Sequence, residues 1–207
     1  MTGICGIDFD NTIVSYDGVL SKIARERGLL RADGIHSKKE IRDKIRQLPG
    51  GEMEWRKCQA QFYGPRMSEA KLAEGVAQFF QLSRQHHLRL YIISHKKEFS
   101  DYDPSVTNLR KTAKEWMSAN GFFDPDGFGL TPDDVYFDDT RRGKIDRIRT
   151  LGCTHFIDDL EEVFLEESFP SNVVRILYEP GRSSKVPADI TLMTSWQDIC
   201  GYFFGKH

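Results

Sequence analysis

Asp8 and Asp10 stand two residues apart at the end of the apolar run Ile4-Cys5-Gly6-Ile7, with Phe9 between them and Asn11-Thr12-Ile13 following. In an extended strand, residues two apart point to the same side, so at a strand's end the two carboxylates converge on one small volume. Carboxylates that close repel each other, and one pKa rises unless a cation joins them. The pair therefore implies a divalent metal or proton chemistry. A bare D-x-D taken alone is more often a strand end whose acids face water.

Three later groups change that balance. Ser94 follows the apolar run Leu88-Arg89-Leu90-Tyr91-Ile92-Ile93 and offers a hydroxyl to a phosphate oxygen. Asp158-Asp159 follow His155-Phe156-Ile157 and form a second acidic pair suited to a hard cation such as Mg²⁺. Lys144 opens the helix before that strand, where a cation offsets the carboxylates and a bound anion. All fall at or near the carboxyl ends of expected strands, where open parallel sheets assemble their sites.

The elements that position these groups follow from periodicity. Short apolar runs at Ile4 to Phe9, Leu88 to Ile93, Asp134 to Phe137, His155 to Ile157 and Val173 to Leu177 read as strands, with an edge strand at Ile190 to Met193. Helices are expected over Ala70 to His86, Asn108 to Asn120 and Arg142 to Leu151, the last two closed by Gly121 and Gly152. This alternation gives an α/β class. Ser15 to Pro65 is far too long for a βα loop. Its helical stretches Val19 to Arg27, Ser37 to Leu48 and Glu52 to Phe62, punctuated by Gly28, Pro49-Gly50-Gly51 and Gly64-Pro65, form a small insert placed to cover the acidic strand end.

In this order the groups resemble the four motifs of the haloacid dehalogenase (HAD) superfamily of phosphohydrolases, over nearly the whole chain. Asp8-Phe9-Asp10-Asn11-Thr12 is similar to the first, D-x-D-x-T; Ser94 to the second; Lys144 to the third; Asp158-Asp159-Leu160-Glu161-Glu162 to the acidic fourth. The resemblance implies a Rossmann-like core of residues 1–14 and 66–207 with a helical cap at 15–65. It implies Asp8 as nucleophile and Asp10 as general acid and base. Mg²⁺ would be held by Asp8, the backbone carbonyl of Asp10 and Asp158, with Asp159 and Glu162 in supporting positions. Ser94, Lys144, Asn11 and Thr12 would surround the phosphate. An acid at position 10 separates phosphatases from dehalogenases, because an alkoxide needs a proton to leave and a halide does not. The expected substrate is a small phosphorylated metabolite, with sugar phosphates as a narrower guess. A phosphomutase or phosphotransferase shares the same residues, and a non-catalytic ligand-binding protein shares the fold.

Other residues have plainer readings. Lys96 and Lys97 are the fallback for the third motif, while Arg141 and Arg142 read as a solvated basic stretch beside Lys144. His95 is a strand-end histidine, and His86-His87 end a helix without further ligands nearby. Trp55, Arg56, Tyr63 and Arg66 either read a substrate's non-phosphate part or serve the insert's own core and surface. With 29 basic and 31 acidic residues and no long block of like charge, a nucleic-acid partner is not expected. No run of about 18 apolar residues suggests a membrane span, and a cytoplasmic protein is expected. Cys5, Cys58, Cys153 and Cys200 contain no C-x-x-C and read as reduced packing cysteines.

Overall fold

An apolar strand such as Ile4-Cys5-Gly6-Ile7 is stable only when both its faces are covered, which favours the middle of a parallel sheet. The computed structural model describes residues 3–30, 37–182 and 185–205, so stretch 31–36 of the expected insert lies outside the described residues. In chain order the elements are β1 (Ile4–Ile7), β2 (Val14–Ser15), α1 (Asp17–Glu26), α2 (Lys38–Arg46), α3 (Gly51–Tyr63), β3 (Lys71–Leu72), α4 (Val76–Gln85), β4 (Arg89–His95) and α5 (Leu109–Ala119). There follow β5 (Val135–Asp138), α6 (Arg141–Thr150), β6 (His155–Asp158), α7 (Glu161–Phe164), β7 (Val174–Tyr178), β8 (Ile190–Met193) and α8 (Trp196–Phe204). Two compact units emerge: Met1–Ile13, Leu72–Lys96 and Ser118–His207 form one, and Val14–Lys71 with Lys97–Met117 the other.

The first unit is a six-stranded sheet in the order β5-β4-β1-β6-β7-β8, parallel throughout. Counted among the sheet strands alone, this is the doubly wound order 3-2-1-4-5-6, which places a crevice at the carboxyl end of the first strand. β1 lies between β4 and β6, with Ile7 opposite both Ile92 and Ile157. All three isoleucines are fully buried. Gly6 is required by that packing, since a Cβ there would stand 2.6 Å from Phe156 Cδ2. The apolar cluster of Ile93, Ile145, Ile148, Phe156, Val163 and Leu177 fixes α6 and the β6–α7 segment against the sheet.

Two local differences from the sequence reading have clear causes. Residues 70–75 are not the first turns of α4: Lys71–Leu72 is a short strand paired with β2, and the helix begins only after Gly75. Gly75 has φ +87°, and a Cβ there would meet Trp196 Cβ at 2.7 Å. α8 was not anticipated. It is anchored by Trp196, which packs on Phe79 of α4 with ring centroids 5.1 Å apart, and whose indole N–H donates to the Thr12 carbonyl at 3.1 Å.

The second unit is helical. α2 starts with a capping box in which Ser37 and Glu40 satisfy each other's backbone N–H groups. Ile41 and Ile45 of α2, with Leu20 and Ile23 of α1 and Trp55 and Phe62 of α3, are among its buried apolar residues. Trp55 and Tyr63 belong to this packing: Trp55 lies 6.0 Å from the Phe62 ring, and the Tyr63 hydroxyl accepts from Lys38 Nζ at 2.8 Å. Arg56 pairs with Glu52, and Arg66 with Glu26 and Glu69. The unit is wider than the expected 15–65, because segment 97–117 joins it; the Trp116 indole, for example, donates to the Ala70 carbonyl at 3.0 Å.

Candidate active site

Pairing of β1 with its two neighbours delivers the acidic and basic groups to one sheet edge. The chain leaves β1 at Asp8, whose backbone N–H still donates to Ile157 O at 2.8 Å, and then turns so that Ile13 N–H donates to Phe9 O. Asn11 takes φ +64° in that turn, a left-handed conformation that asparagine tolerates better than most residues. Its side-chain amide donates to Asp159 Oδ2 at 3.2 Å, linking the loops after β1 and β6.

Lys144 lies at the centre of the buried charges. Its Nζ donates to Asp8 Oδ1 at 2.5 Å and to Asp158 Oδ2 at 2.7 Å, and the lysine is fully buried. Burial opposes its charge, but the carboxylates of Asp158 and then Asp8 outweigh that and hold its pKa well above the ordinary lysine value. Burial in turn pushes the Asp158 carboxyl up to about 6, against the opposing pull of Lys144. Asp158 Oδ1 accepts from the Leu160 N–H at 3.0 Å, which fixes its orientation. The neighbouring arginines do not compete: Arg141 pairs with Glu166 and Arg142 with Asp146, each at least a third exposed.

A second buried lysine engages the other acid. Lys96 Nζ donates to both oxygens of Asp10, at 3.0 and 2.7 Å. Its backbone N–H continues the β4–β5 pairing by donating to Asp138 O at 2.8 Å. Lys97, by contrast, is mostly exposed and pairs with Asp101 at 3.5 Å. By sequence alone, Lys96 reads only as a substitute for Lys144. A Ser94-x-Lys96 spacing at a strand end was the available signal, since it sends both side chains to one side.

Ser94 is buried in β4 beside β1, and Thr12 is fully buried with its hydroxyl oxygen unpartnered among the described residues. His95 is half-buried; burial, then Lys144, pushes its pKa below the ordinary histidine value, and its Nδ1 has no partner among the described residues. Glu162 is exposed in α7. His86 stacks on Phe204 and His87 is exposed, so the structure brings neither to the site.

No protein-family model matches the chain. No curated protein matches it either. Solved structures do. The putative HAD-hydrolase YfnB of Bacillus subtilis, determined with magnesium bound, is similar over 98% of this chain and 99% of its own, with TM-score 0.57 and 11% identity. A HAD-family hydrolase of Deinococcus radiodurans, determined with phosphate and sodium, is similar over 97% and 94%, with TM-score 0.54 and 15% identity. A putative phosphoglycolate phosphatase of Lactobacillus plantarum is similar over 98% and 100%, with TM-score 0.54 and 16% identity. The chain has the haloacid dehalogenase-like fold.

On this HAD-like fold the donor set suits a hard cation. Asp8, Asp158 and Asp159 each offer a carboxylate oxygen, and the three oxygens lie within 4.8 Å of one another. Hard divalent ions such as Mg²⁺ prefer carboxylate oxygens of this kind. Asp159 is thus nearer to such a role than Glu162, which is absent from the cluster. No helix among the described residues is long and apolar enough to cross a membrane.

Proposed function

We propose that the chain is a Mg²⁺-dependent phosphatase that hydrolyses a small phosphorylated metabolite through an aspartyl-phosphate. The observation that carries this reading is the buried convergence of Asp8, Lys144 and Asp158 at the carboxyl ends of adjacent parallel strands. The phosphate bound in the Deinococcus relative and the magnesium in the Bacillus relative support it.

Asp8, Asp158 and the backbone carbonyl of Asp10 would hold the ion, with Asp159 beside them. When bound, Mg²⁺ supplies positive charge to the phosphoryl oxygens. A carboxylate oxygen of Asp8 attacks phosphorus, and the bond from phosphorus to the substrate's ester oxygen breaks. Asp10 gives its proton to that departing oxygen, so an alcohol leaves rather than an alkoxide. Asp10, now a carboxylate, takes a proton from water as the water oxygen attacks phosphorus. The bond between phosphorus and Asp8 then breaks and inorganic phosphate departs. Lys144 holds Asp8 in place and, with Ser94, Asn11 and Thr12, offers donors around the phosphoryl group.

The test is a panel of phosphate esters, including p-nitrophenyl phosphate and sugar phosphates, assayed for inorganic phosphate with and without Mg²⁺. Release of phosphate by the wild type and its loss in Asp8→Asn is the expected result. Transfer of the phosphate to a second hydroxyl, or turnover by Asp8→Asn, would overturn it.

A further inference from the structure

Each acid of the Asp8-Phe9-Asp10 pair has its own buried lysine. Lys144 engages Asp8 from α6, and Lys96 engages Asp10 from the end of β4. The two lysines are not equivalent, because Lys144 also spans to Asp158 whereas Lys96 binds Asp10 through both carboxylate oxygens. Lys96 is held firmly enough to act as a clamp. Its backbone is tied to β5 through Asp138, its side chain is 3% exposed, and its Nζ lies 5.6 Å from the Phe9 ring centroid.

Asp10 needs such a clamp more than Asp8 does. Beyond β1 the chain turns, and a carboxylate there rotates about its side-chain bonds unless something fixes it. Left to itself, Asp10 is attracted to the same cations that Asp8 must keep, Lys144 and any bound metal. An acid turned onto those cations no longer faces a departing oxygen. Small displacements matter, since a misplacement of about 1 Å is worth roughly a hundredfold in rate.

We propose that Lys96 is a positioning residue that holds the Asp10 carboxyl group apart from Lys144 and the metal position, through one oxygen while the other carries the proton for the leaving group and through both oxygens, as seen here, once that proton has gone. The proposal rests on the phosphatase reading above and adds a residue to it. Lys96 acts through Asp10 rather than by touching phosphate.

The test compares Lys96→Met, Lys96→Arg and Lys97→Met with wild type on two esters, glycerol phosphate and 2,4-dinitrophenyl phosphate. The first releases a basic alkoxide that needs a proton; the second releases a weakly basic phenolate that does not. In Lys96→Met, kcat on glycerol phosphate should fall roughly tenfold or more beyond any fall on the aryl ester, within the range that general acid catalysis contributes. KM should stay nearly unchanged on both esters, Lys96→Arg should recover part of the loss, and Lys97→Met should match wild type. An equal loss on both esters, or a rise in KM on both, would make Lys96 a phosphate contact and overturn the proposal. A crystal structure of Lys96→Met provides a readout without turnover: the Asp10 carboxylate should be displaced from its wild-type position, and an unmoved carboxylate would equally overturn it. If wild type hydrolyses neither ester, the Asp10 position alone decides the role of Lys96, and the phosphate-ester panel above decides the phosphatase reading separately.

Discussion

Lys144 Nζ donates to Asp158 Oδ2 at 2.7 Å where neither side chain is exposed to solvent. A buried ion pair gains little over an apolar pair of the same shape, because desolvation offsets the attraction. Removing one partner is a different matter, since it leaves uncompensated charge in the interior. Lys144→Met leaves both Asp8 and Asp158 in that state, and it should destabilise the metal-free protein by about 3–5 kcal/mol. Urea unfolding in EDTA measures this. A variant as stable as wild type would mean that the lysine does not hold these acids.

Asp103 gives a stability effect away from these acids. Its Oδ1 accepts from the Ser105 N–H at 2.9 Å and the Ser105 hydroxyl at 2.6 Å, and its Oδ2 from the Thr107 N–H at 2.9 Å. Burial works against its charge, but the Ser105 and Thr107 hydrogen bonds prevail and bring its pKa down to about 2. The folded pKa lies below the ordinary aspartate value of about 3.9, so the stabilisation is complete above that value and is lost as pH falls through about 2. Wild type should therefore exceed Asp103→Ala in stability at neutral pH, and the gap should narrow below about pH 4. A carboxyl-carbon NMR titration of Asp103 with a midpoint near 4 would contradict this account.

The residues themselves were legible because parallel strands announce their ends: an apolar run stops and a polar residue follows. That logic located Asp8, Asp10, Ser94 and Asp158 by type and position. It could not pair them. Asp10 and Lys96 are 86 residues apart, and only the β1–β4 register, Ile7 opposite Ile92, brings the segments after the two strands together. Trp196 was equally hidden, since its value lies in reaching the Thr12 carbonyl 184 residues away. The expected core, 66–207, includes segment 97–117, which groups instead with the helical residues Val14–Lys71. Periodicity reports that a helix has a face to bury and says nothing of which unit buries it.

The four cysteines allow a test of the core that is independent of activity. All are free and buried. Burial raises Cys58 and Cys153 to about 11 and holds Cys5 well above the ordinary thiol value, with Cys153 contributing a smaller push; Cys200 also rises through burial. Only the thiolate attacks a disulfide reagent, and at pH 8 a thiol with pKa near 11 is ionised in roughly one molecule in a thousand. Lack of access slows reaction further, because the reagent must reach sulfur through packed side chains such as Phe156, which sits against Gly6 next to Cys5. Native protein should thus react with an aromatic disulfide only through transiently opened states that reclose faster than they react, while denatured protein should react at all four positions at once. The ratio of the two rates measures the opening equilibrium of each region. A native cysteine that reacts at the denatured rate would place its sulfur at the surface and break the packing assigned to that strand or helix.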